Sequence, residues 1–413
     1  MTTATPPAGS GARHAHGPNR LSPLGFILAF GVVSMLGDFV YEGGRSIVGP
    51  FLATFGASAL VVGLVTGLGE AVSLVFRLAT GRLSDRTGRH WALSIGGYLI
   101  TLVSVPLLAA AHALSVASTL VVTERFGKAV RTPARDTMLA QASVRMGRGW
   151  AFGLHEALDQ SGALLGPLLV AVMVAIAGFR LGFAVLAIPA VIAVATLAWL
   201  CRAVPRPAAY EEGAAPRHAP AQPGGIGGFS SRFWLYCAFT ALSVFGFATF
   251  GVLAYHLQVA HVLPEAVIPV VYALAMGVDA LAALGSGWVY DRAGLRGLAV
   301  APLLAAVVPF LAFSTSAGAV VAGAAVWGAA TGIHESTMRA AVADLVPAAR
   351  RGTGYGTFTA VYGLAWLVGA TLIGGLYGRS ITSVVIFMVA VQAVAFAAVL
   401  PLLRRQHPSP SGL

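Results

Sequence analysis

Charge is what this chain has least of. Only 10% of its 413 residues are Asp, Glu, Lys or Arg, against roughly 25% in soluble proteins. Lysine is nearly missing: Lys128 is the one lysine among 26 basic residues, the rest being arginine. Cysteine is reduced to Cys201 and Cys237, near the ends of apolar runs and without ligand-like spacing, which argues against a disulfide framework or a zinc site. No Walker loop, dinucleotide fingerprint or nucleophile elbow occurs, so ATP-driven pumping and the common enzyme classes find no support. Apolar residues fill the space: 57% of 413 is about 235 side chains. Twelve membrane helices of about 20 residues each need about 240. With a mean hydropathy of +0.81, this arithmetic excludes a soluble enzyme, a disordered scaffold and a DNA-binding domain, and predicts an all-α polytopic membrane protein.

Apolar stretches fall at 24–53, 58–81, 91–112, 115–140, 150–177, 180–201, 232–257, 266–290, 297–315, 318–344, 354–378 and 381–403, giving twelve expected spans. Residues 1–22 are polar and rich in Pro and Gly, and the first apolar run is too long for a cleavable signal, so it is read as an uncleaved span. His14 and His16 in that tail are read as part of a disordered segment, with no metal expected. The net charge of +11 is explained by where the arginines sit. With the N-terminus cytoplasmic, seventeen fall on that side, including Arg82, Arg86, Arg89, Arg206 and Arg350, and only Arg180 and Arg379 on the other. This is the positive-inside pattern, so the excess charge is expected to meet lipid headgroups and not nucleic acid.

Residues 202–228 carry five prolines and paired glycines, the composition of a linker. The expected organisation is a tail (1–22), a six-helix bundle (23–201), the linker (202–228), a second six-helix bundle (229–403) and a tail (404–413). The halves repeat one another. Gly81, Asp85, Arg86 and Gly88 recur 206 residues later as Gly287, Asp291, Arg292 and Gly294. Arg148, Gly149, Phe152, Gly153 and Gly166 recur 203 residues later as Arg351, Gly352, Tyr355, Gly356 and Gly369. Parallel repeats of a six-helix unit suit alternating access, in which one half rocks against the other around a midplane site.

The segment Gly81-Arg-Leu-Ser-Asp85-Arg86-Thr-Gly88-Arg89 resembles the loop 2–3 signature of the major facilitator superfamily, and Gly287–Gly294 resembles its degenerate second copy in loop 8–9. The fifth span, with Gly153, Gly162, Gly166 and Pro167, is similar to the antiporter motif of that superfamily, although Val170 and Ala171 stand where the family pattern closes on two glycines. The resemblance implies two pseudo-symmetric six-helix bundles. It also implies that Asp85 and its neighbouring arginines act as a conformational gate, tying the halves together in the outward-facing state. Small residues at Gly162 and Gly166, four apart and on one face, allow close helix approach, and Pro167 is expected to bend the helix.

Ionisable residues inside spans are costly, about 2.5–3.5 kcal/mol each at a helix centre on insertion scales, and so point to function. Asp38, Glu42 and Arg45 share one face of the first span, with Asp38 near mid-membrane. Glu70 and Arg77 share a face of the second. Glu124, Lys128, Arg131 and Arg135 form a stripe on the fourth, with Arg125 off to one side. His155, Glu156 and Asp159 mark the fifth, and the C-terminal half adds His256, Asp279, His334, Glu335 and Arg339. Arg77, Arg135, Asp136 and Arg339, nearer the cytoplasmic ends, are read as ion pairs holding helices together. Asp38, Glu42, Arg45, Glu70, Glu124, Lys128, Arg131, Glu156, Asp159, Asp279 and Glu335 are the candidates for a proton-coupling and substrate cavity, with Asp38 the leading proton carrier. The expected function is proton-coupled export of a small organic compound or drug by a monomer in a bacterial cytoplasmic membrane, with both termini inside. The proton gradient is the driving force and no cofactor is expected. An importer of a polar or anionic metabolite is the alternative. A sensor or scaffold that moves nothing is the third reading, against which the carboxylate stripes weigh.

Overall fold

The computed structural model describes residues 19–144, 146, 148–211, 228–347 and 350–403; the expected N-terminal tail up to residue 18, the C-terminal tail and most of the linker lie outside them. Fourteen α-helices follow in order: α1 (Pro23–Thr54), α2 (Ala59–Thr87), α3 (His90–Leu107), α4 (Leu114–Ala142), α5 (Arg148–Val185), α6 (Ala187–Ala203), α7 (Ser231–Phe245), α8 (Phe250–Val259), α9 (Ile268–Ala293), α10 (Val300–Ala312), α11 (Ala317–Gly332), α12 (Met338–Leu345), α13 (Arg351–Tyr377) and α14 (Ile381–Leu403). Among the described residues, nine stretches are long and apolar enough to cross a membrane. Two of them, Trp150–Ala203 and Glu265–Ala312, are 54 and 48 residues long, about twice what one crossing needs. The helix Leu114–Ala142 is missing from the nine because it carries Glu124, Arg125, Lys128, Arg131, Arg135 and Asp136. Nine, two further crossings and this charged helix make twelve.

Local sequence explains the starts and stops. Ser22 and Ser58 accept hydrogen bonds from the first-turn amides of Gly25 (3.1 Å) and Val61 (3.4 Å), the usual N-cap arrangement. Helix α2 ends at Gly88 in the left-handed region (φ 62°), and α9 ends at Gly294, also with positive φ (58°). Both copies of the loop motif thus place glycine where a side chain would be strained. In α5 the helical dihedrals continue through Pro167 and break at Ala177–Gly178 instead. That glycine, at φ 74°, makes the turn between the fifth and sixth spans; the interruption is not at the proline.

Two spans are discontinuous, which hydropathy does not register. The seventh is split into α7 and α8 by residues 246–249. Its freed carbonyls find side-chain donors: Trp327 Nε1 donates to Ala248 O at 2.8 Å and Gln392 Nε2 to Ser243 O at 2.7 Å, as buried backbone requires. The tenth span passes from α11 through a π-helical turn, Ile333–Thr337, into α12. Such turns concentrate at functional sites.

The two halves pack alike. A Cβ at Gly166 would run into the Phe39 carbonyl, and one at Gly369 into the Phe245 carbonyl. Gly369 is Gly166 plus 203 and Phe245 is Phe39 plus 206, so α5 sits on α1 as α13 sits on α7. Without a hydrophobic drive between helices in lipid, such close backbone packing is what holds them. One pair breaks the symmetry. At Gly356 of α13 a Cβ would collide with the Leu78 side chain of α2, whereas the repeat position Gly153 has nothing within 4 Å. Leu284, the counterpart of Leu78, is 75% exposed. The α2–α13 seam is closed where the α5–α9 seam is open.

Candidate functional site

The opening between α5 and α9 leads into a cavity of about 530 Å³ between the halves. Gly153 and Glu156 are exposed at its mouth, at the end of the bundle that carries the loop 2–3 motif. The opposite end is shut by direct contact between halves. Thr66 and Thr249 hydroxyls lie 2.8 Å apart, a Cβ at Gly49 would strike the Gly251 carbonyl, and Gly63 and Gly374 abut the Ala370 and Ala59 carbonyls. Deeper in, the Tyr272 hydroxyl donates to Glu42 across the interface.

Of the candidate residues, Asp38, Glu42, Arg45, Glu70, Lys128, Glu156, Asp159, Asp279 and Glu335 are brought together in the wall of this cavity. Glu124 and Arg131 are not: both are buried behind it. The N-terminal half is knitted by ion pairs. Arg45 reaches Glu70 at 2.9 Å and Glu42 at 3.6 Å. Arg125 reaches Glu70 at 3.1 Å and Glu124 at 3.4 Å, and donates to the Tyr41 hydroxyl. Arg131 meets Asp38 at 3.3 Å while lying over the Tyr98 ring. Arg135 meets Asp136 at 2.9 Å and Asp159 at 3.4 Å, and His155 Nδ1 lies 3.6 Å from Asp159.

Three placements follow from helix packing and not from spacing along one helix. Arg125, set off the stripe by its spacing, is a hub of the network, because α4 packs against α2 with Arg125 touching the flank of Gly69. Asp38 is partnered by Arg131 of α4, although Arg45 lies two turns along on its own helix face. Arg77, Arg135 and Asp136, read as ion pairs holding helices together, also line the cavity, and Arg135 does tie α4 to α5 through Asp159; the side chain of Arg339 lies outside the described residues. Tyr41, Tyr272, Tyr362 and Trp366 also shape the site. Tyr41 was legible, lying three residues after Asp38 and four before Arg45; the reach of Tyr272 across the interface was not.

The C-terminal half contributes a different wall. Asp279 is buried, its Oδ1 without a hydrogen-bond partner, and its backbone carbonyl abuts Gly332 at the start of the π turn. His334 in that turn exchanges hydrogen bonds with Ser243 (3.0 Å) and Tyr362 (3.3 Å). The gate motif stands apart: Asp85, Arg86, Gly88 and Arg89 are exposed, and Asp85 makes no ion pair among the described residues. In the second copy Asp291 and Arg292 are likewise exposed, Arg292 lying 3.8 Å over the Trp288 ring. Gly162 packs against the Met35 carbonyl. Among the described residues no cluster of His, Cys, Asp and Glu is arranged to hold a metal ion.

The sequence pattern of the Major Facilitator Superfamily matches residues 34–301 and again 264–413. The chain belongs to that superfamily. An uncharacterized protein of Mycobacterium tuberculosis is 51% identical over 377 residues, covering 91% of this chain and 92% of the relative. An uncharacterized MFS-type transporter of Methanocaldococcus jannaschii is 30% identical over 144 residues, 35% of this chain and 36% of that one. Among solved structures, the nucleoside transporter NupG superposes with a TM-score of 0.73 at 12% identity, covering 92% of this chain and all of the other. A bacterial homologue of the human lysosomal transporter Spinster, inward-facing and unoccupied, superposes with 0.67 at 15%, covering 92% and 98%. At such identities the likeness concerns the fold: twelve spans in two six-helix bundles, the architecture of secondary transporters that work by alternating access.

Proposed function

We propose that this superfamily member moves a small polar organic compound across the bacterial cytoplasmic membrane by alternating access, in exchange for protons, with both termini inside. The one-sided cavity carries this reading: it opens at the arginine-rich end and is sealed at the other by contacts between halves, the geometry of one end of a rocking cycle. A wall so dense in carboxylates and guanidinium groups favours a polar solute over an apolar drug, since desolvated charges need polar partners. Asp279 supports the proton coupling. A buried carboxylate without a cation beside it is costly when ionised and inexpensive when it holds a proton. The glycines of the fifth span, by their resemblance to the antiporter motif, support exchange and hence export.

The test is transport in proteoliposomes with an imposed pH gradient, read by an internal pH dye while pools of anionic, cationic, zwitterionic and apolar compounds are added. A polar pool is expected to dissipate the gradient in the presence of the protein, and Asp279→Asn to abolish that response. If no polar pool acts, or only apolar compounds do, the reading is wrong. For orientation, a cysteine introduced at Ala113 is expected to label from outside intact cells and one at Gly88 only after permeabilisation.

A further inference from the structure

The two walls of the cavity carry opposite unspent charges. On the N-terminal side Arg45, Arg125 and Arg135 are each held in ion pairs. Lys128 differs: its ammonium rests 4.0 Å over the Tyr41 ring, and among the described residues no carboxylate stands within 4 Å of it. The ring fixes the charge in place by a cation–π contact without neutralising it. On the C-terminal side the wall contains Asp279 and Glu335 and, among the described lining side chains, no lysine or arginine. Among the described residues Asp279 has neither a cation within 4 Å nor, at Oδ1, a hydrogen-bond donor. Lys128 belongs to α4 and Asp279 to α9, so the two charges sit on halves that move relative to each other in alternating access.

We propose that the transported compound is a small zwitterion, its anionic group held by Lys128 and its cationic amine by Asp279. This rests on the transport reading above and names its substrate class. A compact ammonium on a flexible stem suits a carboxylate or phosphate as a point charge, and 530 Å³ lies within the range of about 300–1,000 Å³ typical of small-molecule sites. A solute charged at both ends bridges the halves and favours the closed arrangement in which both contacts are made. Its amine and a proton compete for the same carboxylate, so binding one releases the other, which is exchange.

The experiment measures the melting temperature of the purified full chain with ω-amino carboxylates from glycine to 6-aminohexanoate, beside carboxylates and amines of matched length. At least one zwitterion is expected to raise the melting temperature by about 2 °C at saturating concentration, with its matched carboxylate and amine giving less than half of that. Lys128→Gln and Asp279→Asn are each expected to remove the difference, and Lys128→Arg to keep it. Equal stabilisation by the plain amines, or no shift with any zwitterion, overturns the assignment. Should the variants fail to fold, modification of Lys128 by trinitrobenzenesulfonate in the unaltered protein replaces them. Trimethylammonio carboxylates, which do not react with the reagent, are expected to slow it at least fivefold relative to plain carboxylates, and equal rates overturn the assignment. If zwitterions bind but are not moved in proteoliposomes, transport falls and the binding site stands. If a plain cation or a neutral compound is moved and no zwitterion binds, the substrate class falls and transport stands.

Discussion

At the scale of single residues, the decisive feature is which cation each intramembrane acid meets. Asp38 is held by Arg131, whose side chain is 1% exposed, so replacing Asp38 leaves a buried guanidinium without its counter-charge. Breaking such a pair from one side costs about 3–5 kcal/mol. Asp38→Asn is therefore expected to lower the unfolding midpoint in detergent clearly, and Asp38→Asn with Arg131→Gln to recover much of it. A single variant as stable as the unaltered protein would falsify the structural role and return Asp38 to the list of proton carriers. Asp279 stands in the opposite situation, with no cation to strand among the described residues, which is why the proposed coupling role falls to it.

At the scale of elements, α1 and α5 are joined where glycine leaves room for a neighbouring carbonyl. The backbone of Met35 cannot withdraw from a new side chain, so Gly162→Val is expected to cost about 1–3 kcal/mol or more through overpacking. Gly153→Val, on the same helix but with open space around it, is expected to leave the melting temperature unchanged; equal losses at both would mean that propensity and not packing is responsible. The loop between α2 and α3 makes a second case. Asp85 is exposed and, in this conformation, forms no ion pair among the described residues. Asp85→Asn is expected to leave expression and insertion intact but to slow transport strongly, by weakening the opposite-facing state in which the resemblance places its contact. Asp291→Asn should act more mildly, since Leu295 replaces the arginine corresponding to Arg89. Small and equal effects in a transport assay would reduce the motif to a signal for topology.

At the scale of the whole molecule, the two halves meet tightly at one end and along α2–α13, and part at the mouth between α5 and α9. The hydroxyls of Thr66 and Thr249, 2.8 Å apart, mark the closed end. In a background with Cys201 replaced by serine, Thr66→Cys with Thr249→Cys is expected to cross-link on oxidation, to block transport and to release it on reduction. Continued transport by the cross-linked protein would show that this end need not open. The same cross-link should leave zwitterion binding at Lys128 and Asp279 intact, because the cavity stays accessible from its other end.

The sequence by itself determined the membrane class, the twelve crossings, the repeat and the helix faces that carry charge. Those properties are local: hydropathy over about 20 residues, periodicity along one helix, and an offset between two copies of one unit. It even marked most of the charged residues of the cavity wall, because a charge buried in lipid is too costly to be placed idly. Only the tertiary structure decided the rest. Which arginine answers Asp38, and that Arg125 gathers Glu70, Glu124 and Tyr41, depends on how α1, α2 and α4 are rotated against one another. The break in the seventh span escapes hydropathy because its freed carbonyls are satisfied by distant side chains, Trp327 and Gln392. The opening at Gly153 and the closure at Gly356 arise from two copies of one pattern, and the difference between them is the position of one half against the other, which no periodicity along the chain encodes.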